Sequence, residues 1–142
     1  MQASARRSSL CISVFAATAL LAATASAQQG QTAFLVKQDF SDCKNGNVDP
    51  NPLEPGGEVV VARNGDGTTS VKVGMTVQPN TTYHFFLKCV RILGDITTDG
   101  DGVGIGVFSF RTNETDNVIT FDMYPEGAPA GNKYQSVPIR MQ

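Results

Sequence analysis

The chain has 142 residues, of which 41% are hydrophobic and 17% charged, with a formal net charge of −2, a single histidine and three cysteines. That length suits one hydrophobic core and one domain. The basic residues Lys37, Lys44, Arg63, Lys72, Lys88, Arg91, Arg111, Lys133 and Arg140 are scattered singly. Nucleic-acid binding needs a concentrated positive surface to displace counterions, so that class is set aside. One histidine and few cysteines also tell against zinc, copper and haem sites, which need several imidazole or thiolate ligands.

The first element is an export signal. Met1–Ser9 carries Arg6 and Arg7 and no acid, Leu10–Ala23 is an uncharged and mainly apolar run, and Ala25-Ser26-Ala27 is a small-x-small cleavage pattern. This order predicts a helical signal peptide over 1–27, cut before Gln28, and a single mature domain over 28–142. A run of 14 residues is shorter than the roughly 20 needed to cross a bilayer, so no membrane span is expected after cleavage. The mature part keeps nine basic and thirteen acidic residues, a net charge of −4. The expected location is secreted or periplasmic.

Cys11 leaves with the signal, and the mature chain retains Cys43 and Cys89. An even pair in an oxidising compartment is expected to form a bridge, the alternatives being two free thiols or metal ligands. Closing a loop of about 45 residues contributes roughly 3–4 kcal/mol in the chain-entropy description.

After a polar stretch over 28–31, Phe34–Phe40 reads as a first strand. Asp42–Gly57 gathers Asn, Asp, Gly and Pro, including Pro50, Pro52 and Pro55, and reads as an irregular loop. Glu58–Arg63 is followed by Asn64-Gly65-Asp66-Gly67, whose residues tolerate the positive φ of tight hairpins. In Thr69–Val77 the odd positions Thr69, Val71, Val73, Met75 and Val77 share one face, the period of a half-buried strand. Tyr83–Cys89, Ile92–Thr97, Val103–Arg111, Asn117–Tyr124 and Ser136–Met141 complete the strands, with turns at 99–102 and 113–117 and a loop over Pro125–Lys133. Seven or eight short strands, with no helical periodicity of useful length, predict an all-β fold. The expected form is an antiparallel Greek-key β-sandwich, immunoglobulin-like or related.

The stretch Val77-Gln78-Pro79-Asn80-Thr81-Thr82-Tyr83, followed by Phe85 and Leu87, resembles the tyrosine corner of fibronectin type III and immunoglobulin-like domains. The resemblance implies that Pro79, Thr81 and Tyr83 form a structural corner between sheets, with the Tyr83 hydroxyl bonded to upstream backbone. It also implies Tyr83, Phe85, Leu87 and Cys89 facing inward, with His84, Phe86 and Lys88 on the other face. The region from Asn64 to Gln135, with its TTYHFFLKC and YPEGAPAGNKYQ stretches, is also similar to anonymous small secreted bacterial proteins, a resemblance that carries no activity.

Candidate chemistry is sparse. Asp95, Asp99 and Asp101, interleaved with glycine, offer oxygen ligands for calcium, although the full D-x-D-x-D-G pattern with a terminal Glu is missing. Without a G-x-S-x-G elbow no catalytic triad is inferable around His84. Tyr124, Lys133 and Tyr134 flank the Pro125–Lys133 loop and are the candidate binding residues, because long loops on a rigid β-scaffold commonly carry recognition. The expected function is a non-catalytic secreted β-domain, without a cofactor, binding or supporting an extracytoplasmic protein or glycan. The alternatives are a small secreted hydrolase or accessory domain acting on polysaccharide or peptide, and a calcium-binding β-domain. Native exported protein should take up no iodoacetamide before reduction and label at both Cys43 and Cys89 after it, as read by peptide mass spectrometry.

Overall fold

The computed structural model describes residues 30–49, 55–128 and 133–142. The signal segment, the prolines Pro50 and Pro52, and residues 129–132 lie outside the described residues. Among the described residues ten strands follow one another: β1 Gln31–Lys37, β2 Pro55–Arg63, β3 Thr68–Thr76, β4 Thr82–Leu87, β5 Arg91–Thr97, β6 Val103–Arg111, β7 Val118–Ile119, β8 Phe121–Pro125, β9 Tyr134–Ser136 and β10 Ile139–Arg140. Eight form one antiparallel sheet in the order β5-β4-β8-β9-β1-β2-β3-β6, and β7 pairs with β10. The chain is therefore all-β, as its alternation predicts.

The alternation in β3 does what its period requires. Thr69, Val71, Val73 and Met75 are buried, and they stand opposite Arg63, Val61, Val59 and Gly57 of β2. In β4 the same period buries Tyr83, Phe85 and Leu87. Phe85 is the centre of the core, stacked on Phe121 at 5.2 Å and on Phe108 at 5.4 Å between ring centroids. Such pairs stabilise beyond the area they bury, by about 0.5–1.5 kcal/mol each.

The two ends of the sheet, β5 and β6, lie beside each other without a hydrogen-bonded ladder between them, so the sheet is nearly closed. Three other devices hold this seam. At one end the turn brings Asp99 N to Val103 O at 2.9 Å, and Asp99 Oδ1 accepts from the amides of Asp101 and Val103. In the middle, Ile96 lies over Gly104 and Gly106 while Phe108 lies over Gly94. A Cβ on Gly106 would sit 2.7 Å from both Ile96 and Phe108, so a side chain there would collide with the residues that fill the seam. At the far end the Glu114 carboxylate takes the Arg91 guanidinium at 2.7 and 3.2 Å and the Arg111 amide at 2.8 Å. The Arg91 side chain first, then the Arg111 amide, hold the Glu114 carboxyl down at about 2.

Several boundaries differ from the sequence reading. Pro55, Gly56 and Gly57 belong to β2 rather than to the preceding loop, with Pro55 as the first strand residue, where its missing donor costs least. The expected strand over Asn117–Tyr124 is two, because Thr120 leaves the ladder. Its carbonyl accepts from Lys88 N and its hydroxyl donates to Cys43 O at 2.8 Å. Ser136–Met141 is likewise split between β9 and β10.

Cys43 and Cys89 form a disulfide with a Cα separation of 5.6 Å, tying the segment after β1 to the β4–β5 turn. Cys89 is exposed and adopts φ 59° in that turn, while Lys88 is 8% exposed. The expected faces of these two residues are therefore reversed, because β4 ends at Leu87 and its alternation stops there. Phe85→Ala should lower stability by about 3–5 kcal/mol, read as a shift in the urea unfolding midpoint with an unchanged m-value.

Candidate functional site

Among the described residues, two surfaces and one buried polar cluster are the candidate sites. The first surface is the outer face of β4 and β8, where His84 stands opposite Tyr124 and Phe86 opposite Asp122. Phe86 and Tyr124 stack at 4.8 Å with an interplanar angle of 13°. His84 meets both rings edge-on and shares a 2.6 Å hydrogen bond from Nδ1 to Asp95. Lys133 Nζ lies 5.3 Å from the Tyr124 centroid and 3.2 Å from Asp39. Tyr124 and Lys133 are thus brought together, whereas Tyr134 turns inward. It pairs with Met123 on the buried face, covers Gly56, and meets Tyr83 edge-on at 6.4 Å. Tyr134 shares the face of its buried partner Met123, and the period of two along β8 puts the adjacent Tyr124 on the opposite face.

Beneath that surface lies a cleft of about 300 Å³ lined by Phe40, Phe86, Lys88, Asp122, Tyr124 and Lys133. Its floor is the buried polar cluster. Lys88 Nζ donates to Phe40 O at 2.8 Å and to Asn45 Oδ1, and lies 3.6 Å from Asp122. Gln135 Nε2 donates to Phe40 O at 2.9 Å and to Asp122 at 3.2 Å, and its Oε1 accepts from Phe40 N. Asn45, wholly buried, gives Nδ2 to Ser136 O at 2.8 Å and to Phe121 O at 3.4 Å. Asn45 also sits at φ 49°, a conformation that Asn tolerates better than most residues. Burial pushes the Asp122 carboxyl above its ordinary range, against the pull of Lys88, Gln135 and Lys133.

The second surface is the outer face of β1, β2, β3 and β6. Phe34, Glu58, Gly74 and Ile105 form one row across the four strands. Because Gly74 has no side chain, a groove of about 440 Å³ opens between Phe34 and Ile105. Along β6, Val103, Ile105 and Val107 are 43%, 77% and 68% exposed, and Phe34 is 50% exposed. The strand reverses the ordinary pattern, with aliphatics outward and the small residues Gly104 and Gly106 inward. Alternate glycines in V-G-I-G-V were the available signal in the sequence, because they mark a close inward approach that leaves the large residues outside.

The remaining candidates fall elsewhere. Gln78 N donates to Tyr83 Oη at 3.3 Å, and Thr81 Oγ1 donates to Pro79 O at 2.9 Å, so these residues make a locally bonded corner. Asp95 is occupied by His84, and Asp99 by amides of its own turn. Among the described residues, no three His, Cys, Asp or Glu side chains gather in a metal-binding group. No protein-family model and no curated protein sequence matches the chain. Fold and site together define a disulfide-bonded all-β domain with one aromatic–polar cleft and one exposed apolar face.

The Asp122 shift has a pH consequence. Between the ordinary aspartate value and the raised one, the folded state holds a proton that the unfolded chain has released, so this group's contribution to stability falls as pH rises through that window. Carbon-detected NMR should place the Asp122 carboxyl midpoint above the ordinary value of about 3.9; a midpoint at or below it contradicts the burial argument.

Proposed function

We propose that the chain is an exported, non-catalytic β-domain that binds a protein partner outside the cytoplasm through the apolar face of β6 and its neighbours. Export is supported by the segmented N-terminus and agrees with the Cys43–Cys89 bridge. In the same reading the nearly closed sheet is a flattened Greek-key sandwich of immunoglobulin-like kind. Its support is the pair of crossovers, β3 to β4 and β6 to β8, which join strands from opposite parts of the sheet.

The observation that carries the binding reading is the outward row Val103, Ile105 and Val107 beside Phe34. Covering exposed apolar surface contributes about 25 cal/mol per Å², and a contiguous patch of this kind marks an interaction site. Glu58 and Lys72 flank the row on the same face, giving a partner charges of both signs to register against. A protein fits this surface better than a glycan. Sugars favour open aromatic faces, and Tyr124, the aromatic candidate, already packs against Phe86 and Lys133.

A photo-crosslinking residue at position 105 should give a discrete protein adduct in the extracytoplasmic fraction, and one at the exposed turn residue Asp101 should not. Equal labelling at both positions, or none at 105 in correctly folded exported protein, would sink this function.

A further inference from the structure

The buried cluster places an amine, a carboxamide and a carboxylic acid side by side, and nothing in the binding reading uses them. Lys88 is 8% exposed, Asn45 0% and Asp122 8%. The end of the Asn45 amide that meets Lys88 is determined by its surroundings. Nδ2 donates to the carbonyls of Ser136 and Phe121, while Oδ1 accepts from Lys88 Nζ. The flipped amide would set oxygen against two carbonyl oxygens and NH2 against an ammonium, so that arrangement is excluded. The carbonyl carbon of Asn45 is therefore held beside Nζ, with the Asp122 carboxylate 3.6 Å away on the Lys88 side.

We propose that Lys88 and Asn45 join covalently after folding, through an amide bond between Nζ and Cγ, with Asp122 as the proton carrier. Asp122 first takes one proton from the Lys88 ammonium. The neutral amine then attacks Cγ, the Nζ–Cγ bond forms, and a second Nζ proton passes to Nδ2. The Cγ–Nδ2 bond breaks and ammonia leaves, taking the proton held by Asp122 as ammonium. One amide replaces another, so no oxidant, reductant or external co-reactant is needed, and Asp122 returns to its starting state.

The fold supplies what this exchange requires. Holding the reactants in contact replaces a bimolecular encounter with an intramolecular one, worth effective molarities of about 10⁵–10⁸ M in well-oriented cases. Burial keeps bulk water from competing for Cγ. The Asp122 carboxyl, raised by burial, is suited to accept a proton and then release it. Lys88 borders the cleft of about 300 Å³ and also a second one of about 170 Å³, lined by Cys43, Cys89 and Thr120, which gives ammonia a way out. The new bond would join the same two segments as the disulfide and hold them together under reducing conditions.

Peptide mapping of native exported protein, reduced, alkylated and digested with trypsin, tests the proposal. The expected product is a branched peptide joining residues 45–63 to 73–91, uncleaved at Lys88 and lighter by one ammonia molecule. The reading is made on peptides because an N-terminal glutamine, expected at Gln28, also loses ammonia on cyclising. Asn45→Ala and Lys88→Arg should each lose the branched product, and Asp122→Asn should reduce it at least tenfold in protein whose near-ultraviolet circular dichroism is unchanged. A linear peptide ending at an unmodified Lys88 as the main product from wild-type protein overturns the proposal without any variant. Undiminished branching in folded Asp122→Asn overturns the role of Asp122.

Discussion

A sheet that curls until its two edges meet must join them, and here the join is made by side chains instead of a backbone ladder. β5 and β6 are the ends of an eight-stranded sheet. Ile96 and Phe108 cross between them only because Gly94, Gly104 and Gly106 leave the space. The aromatic column of Phe108, Phe85 and Phe121 depends on that crossing, since Phe108 reaches Phe85 from the β6 side of the seam. The same geometry explains the apolar surface. With Gly104 and Gly106 at the inward positions of its first half, β6 turns Val103, Ile105 and Val107 outward there, so the exposed Ile105 and Val107 are the other side of the closure.

The opposite part of the molecule is organised by polar contacts. Among the described residues of the segment after β1, Val48 is the buried hydrophobic one. The segment is anchored by the Cys43–Cys89 bridge and by Asn45, Gln135 and Lys88. Buried polar groups are costly unless satisfied, and each of these three has partners within the cluster. Removing one member of a buried charged pair typically costs about 3–5 kcal/mol because the other charge is left uncompensated. This loop and the cleft above it therefore act as one unit, in which Lys88 contacts both the loop and Asp122.

Much of the fold was legible in the residues. The alternation of β3, the turn at 64–67, the end points of β6 and the even cysteine pair each report a simple rule: period two, tolerance of positive φ, strand propensity, cysteine parity. Legibility stopped where a rule met its boundary. Lys88 and Cys89 were placed on the wrong faces because the periodicity of β4 ends one residue before them. Tyr134 was grouped with Tyr124 and Lys133 by nearness in the chain, but it points the other way.

By itself the sequence determined that the described residues are all-β and that they carry a pair of cysteines able to bridge, because those properties reside in short segments and composition. Only the tertiary structure decided which residues meet. Asn45 and Lys88 lie 43 positions apart, and Lys88 and Asp122 lie 34 apart. No local pattern records such contacts; the register between strands creates them. The inverted face of β6 is the intermediate case: its glycines are written in the sequence, but their meaning depends on Ile96 and Phe108 arriving from across the seam.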